Sequence, residues 1–265
     1  MKITLFTADK PRHIYLINKL SQVADQLFVI QEKKIDNIFD FNTSKLSKLK
    51  VDYYDKVNKA QNLIFKDCEI NNNGIIKRNL KIKMGQLSSL SILDLDDYLQ
   101  SDLYIIFGSS FIKGDLVEKL VDKSAINLHM GISPFYRGSA CNFWALYDNR
   151  PDLVGATIHY LTKGIDSGPI LYHAVSEQVE NDFIYSMSTV KSAILSLALN
   201  IKNNTIFRYS SEIQNNKKEI RYSKKSDFND VVINKYNEFD KRVKIPFDSN
   251  KLKDYFFLKK ENFFS

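Results

Sequence analysis

The chain reads as an α/β protein built on a mostly parallel sheet, with helices on both faces and a short C-terminal extension. Three observations predict this. Ile3–Thr7, a helical pattern through Ile14, Leu16, Ile17, Leu20 and Val23, and the run Leu27–Ile30 make a β-α-β start. Leu103–Phe107 is apolar throughout, as a strand covered on both faces should be. Seven of the nine glycines fall between Gly108 and Gly168, which places the functional turns in the middle of the chain.

Each element follows in order. A turn at Asp9–Pro11 separates the first strand from the first helix. From Asp36 to Asp67 the pattern is mostly helical and heavily charged. Lys81–Leu90 is expected as a third strand, interrupted at Gly85. Leu103–Phe107 runs into Gly108-Ser109-Ser110 and a short helix over Gly114–Val121. Ser124–Leu128 is the next strand and carries Asn127 and His129 to its carboxyl end, the edge where open α/β sheets bind ligands. Ala140–Leu146 reads as helix, Ala156–Leu161 and Ile170–Val175 as strands, and Ile184–Ile201 as a helix packed back on the sheet. After Asn203 the pattern weakens into short pieces such as Ile220–Tyr222, ending in the aromatic, basic run Tyr255–Lys260. The expected organisation is a catalytic domain over 1–203 and an extension over 204–265.

Composition narrows the class. An apolar fraction of 44%, with 18 Phe and 14 Tyr, supplies a full core. No run approaches the roughly 20 apolar residues of a membrane span, and the start lacks the apolar core of a signal peptide. Cys68 and Cys141 have no C-x-x-C spacing, so neither a zinc site nor a disulfide scaffold is indicated. Two reduced thiols in a cytoplasmic protein are expected. The net charge is +7, and residues 181–265 hold 16 Lys/Arg against 10 Asp/Glu. Such a tail can attract a nucleotide or RNA or can be a solvated surface, the reading preferred here, and the pI alone does not make the chain a nucleic-acid binder.

The chemistry sits in three segments: N-L-H-M-G-I-S-P-F-Y-R-G (Asn127–Gly138), G-A-T-I-H-Y (Gly155–Tyr160) and G-I-D-S-G-P-I (Gly164–Ile170). A carboxylate that orients a histidine, beside an amide that donates to an oxyanion, is the set acyl transfer needs. Asp166 is that carboxylate, His129 the histidine and Asn127 the amide. His159 has an even claim to supporting them or to being plain core, and His13 and His173 read as structural or surface residues.

In this order and with these gaps, the three motifs resemble the folate-dependent formyltransferases over about residues 103–175. Members act on glycinamide ribonucleotide, methionyl-tRNA or nucleotide-linked amino sugars. The resemblance implies a Rossmann-like fold, the co-substrate N10-formyltetrahydrofolate, a triad of Asn127, His129 and Asp166, and no metal. It also implies a pterin held by backbone in two loops, 107–112 and 161–165. Phe107, Gly108, Ser110, Phe111, Ile112, Gly164 and Ile165 are the expected contacts.

The first βα loop bears on the acceptor. Glycinamide ribonucleotide enzymes carry a glycine-rich turn there, whose backbone cradles a phosphate, but this chain reads T-A-D-K-P-R-H from Thr7 to His13. Methionyl-tRNA enzymes add a β-barrel of about a hundred residues, whereas 62 residues follow Asn203 here. The segment E-I-R-Y-S-K-K from Glu219 is similar to the linker after the catalytic domain in tRNA and sugar enzymes. The expected acceptor is therefore a nucleotide-linked amino sugar, with Lys10, Arg12 and Arg137 facing its diphosphate. The alternatives are formyl transfer to methionyl-tRNA or glycinamide ribonucleotide, a folate-dependent hydrolase and, more remotely, a non-catalytic folate-binding protein. A homodimer is left open.

Overall fold

The computed structural model describes residues 1–33, 46–66, 68–71, 73–239, 245 and 248–265. Its strands are β1 (Lys2–Thr7), β2 (Gln26–Lys33), β3 (Ile76–Lys83), β4 (Leu103–Phe107), β5 (Ile126–His129), β6 (Tyr136–Gly138), β7 (Ala156–Tyr160), β8 (Ile170–Ser176), β9 (Arg221–Ser223) and β10 (Phe256–Leu258). Eight of them form one sheet in the order β10-β8-β7-β5-β4-β1-β2-β3. The pairs from β3 to β5 are all parallel, β7 is antiparallel to both β5 and β8, and β10 is parallel to β8. The strand order reverses between β1 and β4, so their carboxyl ends open a crevice. The α/β fold predicted from the sequence is the fold observed.

Helices cover both faces. The helices α1 (Pro11–Ser21), α2 (Lys48–Phe65) and α5 (Asp182–Lys202) lie on one face, over a core that includes Leu5, Ile17, Ile64, Ile105 and Ile194. On the other face α3 (Gly114–Asp122) sets Leu116 and Leu120 against Phe6, Tyr104 and Ile106. A third apolar cluster joins α4 (Cys141–Tyr147) to α6 (Asp230–Asn237) through Phe143, Trp144, Ile233 and Tyr236. Of the described helices, α5 alone is long and apolar enough to cross a membrane, but 67% of that span is buried inside the protein. Its apolar surface belongs to the core.

Two expectations change. The third strand is Ile76–Lys83, not Lys81–Leu90: Gly85 (φ +93) turns the chain after it, and Leu87–Ser89 forms a single 3-10 turn. As the outer edge of the sheet, β3 is half-exposed along its length, so it lacks the apolar run that marks an inner strand. The long helix begins at Lys48, after Ser47 accepts the Lys50 N–H. Residues 36–45 and 67 of the predicted helix lie outside the described residues. Beyond Asn203 the chain returns to the core: β9 pairs with β6, and β10 adds a strand beside β8.

Candidate active site

The strand β5 delivers Asn127 and His129 to one face of the sheet, two residues apart as the strand period requires. Antiparallel pairing sets His159 of β7 directly opposite Asn127. Asp166 arrives from the β7–β8 loop with φ +47, a left-handed conformation that a non-glycine residue adopts at a cost. The loop can close this tightly because of Gly168, where a Cβ would stand 1.7 Å from the Tyr160 carbonyl oxygen. Gly131 has a matching role beneath the histidine, since a Cβ there would lie 2.6 Å from His129 Nε2.

Four polar side chains meet as a result. His129 Nδ1 lies 3.2 Å from Asp166 Oδ1, and Nε2 lies 3.3 Å from the Tyr136 carbonyl oxygen. The Gly138 N–H donates to Asp166 Oδ2 at 3.2 Å. His159 Nδ1 donates to the Tyr160 carbonyl at 2.8 Å, which leaves Nε2 as the acceptor of the Asn127 amide at 3.1 Å. The second Asn127 N–H points at Asp166 Oδ1, 3.3 Å away. Both amide protons are thus engaged, and donating to an oxyanion requires releasing the longer bond.

Burial alone would push His129 down, but the Asp166 carboxylate, with a contribution from Cys141, outweighs it and holds the imidazole well above its ordinary value. Asp166 is the reciprocal case: burial raises it, and the His129 pair overrides this and lowers it to about 2. His159 Nε2 lies 4.0 Å from Asp166 Oδ1, but its burial outweighs that carboxylate, so it falls to about 4 and is neutral. The site therefore presents an imidazolium and a carboxylate beside a neutral imidazole that orients an amide.

Asn127, His129 and Asp166 form part of the lining of a cavity of about 630 Å³. Every residue expected to hold the pterin lines it: Phe107, Gly108, Ser110, Phe111, Ile112, Gly164 and Ile165. Phe111 and Ile165 are exposed, while Phe107 and Ile112 are buried. Among the expected acceptor residues, Arg12 lines the cavity, but Lys10 and Arg137 do not. Arg137 donates from Nη1 to Glu219 at 3.0 Å and from Nη2 to the Ile165 carbonyl at 3.0 Å. It ties two loops together, which the sequence concealed because Glu219 is 82 residues away.

Sequence reasoning missed several other residues. Cys141 is buried in the cavity wall against His129. Its proximity to Y-R-G in sequence was the available signal. Glu32, fully buried at the end of β2, accepts from Gly85 N–H and from the Ser110 N–H and hydroxyl. Tyr53 and Tyr54 bring α2 to the cavity, and His13 lines it with Nε2 buried and without a hydrogen-bond partner. No group of three or more His, Cys, Asp or Glu among the described residues is arranged to hold a metal.

A doubly wound sheet with an oriented imidazolium at its switch-point edge is a framework for acyl-type transfer. Residues 72–196 match the Formyl transferase family. A methionyl-tRNA formyltransferase from Staphylococcus aureus (strain Newman) is 33% identical over 98 residues, a stretch covering 36% of this chain and 30% of that protein. Among solved structures, the N-formyltransferase from Helicobacter canadensis, in complex with folinic acid and dTDP-3-aminofucose, gives a TM-score of 0.50 at 20% identity, covering 86% of this chain and 73% of that one. A phosphoribosylglycinamide formyltransferase from Anaplasma phagocytophilum gives 0.51 at 16%, covering 76% and 86%. At such identities the structural likeness is one of fold. That family match spans just under half of this chain, and the fold is the one these formyltransferase structures share.

Proposed function

We propose that the protein transfers a formyl group from N10-formyltetrahydrofolate to the amine of a nucleotide-linked amino sugar. The carrying observation is the His129–Asp166 pair, 3.2 Å apart, in the wall of a cavity bounded by the two predicted pterin loops. Attack of an amine on a formyl carbon puts negative charge on the formyl oxygen and leaves the amine nitrogen with a proton to lose. His129, held as imidazolium by Asp166, can turn its Nε2–H from the Tyr136 carbonyl to that oxygen, and Asn127 adds an N–H by releasing Asp166. The imidazolium can give its Nε2 proton to the departing nitrogen, and the ring, then neutral, can take the amine's proton in its place.

The loops suit a folate. A pterin needs a flat slot with main-chain donors and acceptors on its edge. Gly108–Ile112 and Gly164–Ile165 offer backbone groups beside Phe107 and Ile112. The folate supplies the activated formyl group, and the protein contributes orientation, oxyanion donors and exclusion of water.

Arg12 supports an anionic acceptor. It lies at the N-terminus of α1 and donates to the Gln61 amide, with no carboxylate partner among the described residues. Burial lowers it to about 10. Beside it, His13 Nδ1 accepts the Lys10 N–H at 3.1 Å, so in the neutral ring the unpartnered Nε2 carries the proton. A diphosphate gives both groups their missing acceptor. The reading places the enzyme in the cytoplasm, with folate and sugar nucleotide as its partners.

A panel of amino sugar nucleotides, assayed with N10-formyltetrahydrofolate for release of tetrahydrofolate, tests this. Turnover with at least one of them, inhibited by the matching nucleoside diphosphate, is expected. The relative from Staphylococcus aureus keeps methionyl-tRNA as the second reading. Efficient formylation of methionyl-tRNA or of glycinamide ribonucleotide, with no response to any sugar nucleotide, would overturn the acceptor while leaving formyl transfer in place.

A further inference from the structure

We propose that Gln214, carried by the segment after α5, is a positioning residue for the transfer step, fixing the backbone of the loop that presents Asp166 to His129. The inference rests on the formyl-transfer reading and concerns a residue 48 positions from Asp166 in sequence. Gln214 Nε2 donates to two carbonyls of that loop, those of Asp166 and Gly168, both at 2.8 Å. The side chain is buried, and its Oε1 has no hydrogen-bond partner. A buried amide accepts an unpaired oxygen at a cost when its other end makes bonds that matter. Turning the amide over would face a carbonyl oxygen with two others, so the donor orientation is fixed.

The loop needs such a hold. Asp166 occupies the left-handed region, where an aspartate stays only if its surroundings over-determine it. Its carboxylate contacts, 3.2 Å to His129 and 3.2 Å to Gly138 N–H, are long enough that a shift of part of an ångström would break them. Two neighbouring ties secure the flanks. Ile170 and Glu212 exchange a pair of 2.8 Å backbone bonds, and Arg137 holds the Ile165 carbonyl while bonded to Glu219. Among the described residues, Gln214 alone donates to the Asp166 carbonyl. Asp166 from the loop, Cys141 from α4 and His159 from β7 are the titratable groups that face His129. Loosening the loop weakens the first of these and leaves the other two in place.

The deciding experiment compares the full-length protein with Gln214→Met, which keeps length and volume but donates nothing, and with Gln214→Asn, which keeps the donors but is too short for both carbonyls. Two readouts are taken. Ring-proton NMR titration of His129 does not depend on any acceptor, so it remains informative even if the formyl-transfer reading fails. Expected in Gln214→Met is a fall of about one unit in the His129 midpoint, with Gln214→Asn intermediate. In turnover, kcat should drop about 10- to 100-fold, as for a catalytic group misplaced by up to an ångström, with KM for the folate within about twofold. An unmoved His129 midpoint in folded Gln214→Met overturns the proposal, as does a kcat within twofold of wild type. If both variants fail to fold by circular dichroism, Gln214 is a structural residue and the proposal is likewise overturned.

Discussion

His129 and Asp166 shift in opposite directions because each is the other's principal partner, and that reciprocity makes their substitution informative. His129→Ala and Asp166→Asn should each lower kcat about 10²- to 10⁴-fold without unfolding the chain. Turnover within tenfold of wild type in a folded variant would sink the triad. Stability should carry the same signature. His129 is raised above its ordinary 6.5, so its contribution is whole below that value and is lost as pH climbs through the raised one. Asp166 is lowered from 3.8 to about 2, so its contribution is whole above 3.8 and is lost as pH falls towards 2. The gap in Tm between wild type and Asp166→Asn should therefore be widest between those two ordinary values and narrow on either side. A gap that does not change with pH would mean the two groups do not titrate as a pair. These residues were legible because short motifs carry them. Arg137 misled because the partner that claims it lies on β9's approach, and no local pattern announces an ion pair across 82 residues.

At the scale of elements, the cavity is a meeting of loops from the carboxyl edge, and Glu32 is the clasp. Its carboxylate takes donors from the loops after β3 and β4 while sitting at the end of β2. Glu32→Gln would turn an N–H towards groups that are themselves donors, freeing Ser110 and the slot beside it. KM for the folate should rise about tenfold with little change in kcat, since in the proposed function the slot binds and the triad reacts. A proportionate loss in kcat with unchanged KM would place Glu32 outside folate recognition. The inner strands were readable from their continuous apolar runs, as with Leu103–Phe107. The outer ones were not. The half-exposed β3 mixes Lys, Arg and Asn with its apolar residues, and β10 is three residues whose pairing with β8 no local signal gives. Glu32 was hidden for a related reason: among the described residues its carboxylate is served by backbone and hydroxyl donors, which leave no charge pattern in the sequence to betray it.

Across the whole molecule, the last segment closes the sheet on the side away from the cavity. Leu258 and Phe263 are buried in the main core, and Lys191 of α5, itself buried and lowered to about 8, donates to the Phe263 carbonyl at 3.0 Å. Removing residues 255–265 would take both apolar side chains out of the core, strip the edge of β8 and leave a buried ammonium short of its acceptors. At about 1.5–3 kcal/mol for each large apolar side chain, the loss is about 3–6 kcal/mol, a large part of the stability of an ordinary domain. Asn127 and His129 sit on β5, with β8 and β7 between them and that edge, and residues 212–223 rather than β10 hold the β7–β8 loop of Asp166. The truncated chain should therefore melt far lower yet, where still folded, keep its kcat and its folate KM within about twofold. This separates the end of the chain from residues 212–223, which grip the Asp166 loop. Thermal denaturation followed by circular dichroism, with single-temperature kinetics well below the transition, measures both quantities. A truncated protein that keeps its Tm but loses turnover would reverse the assignment and make the final strand part of the catalytic machinery.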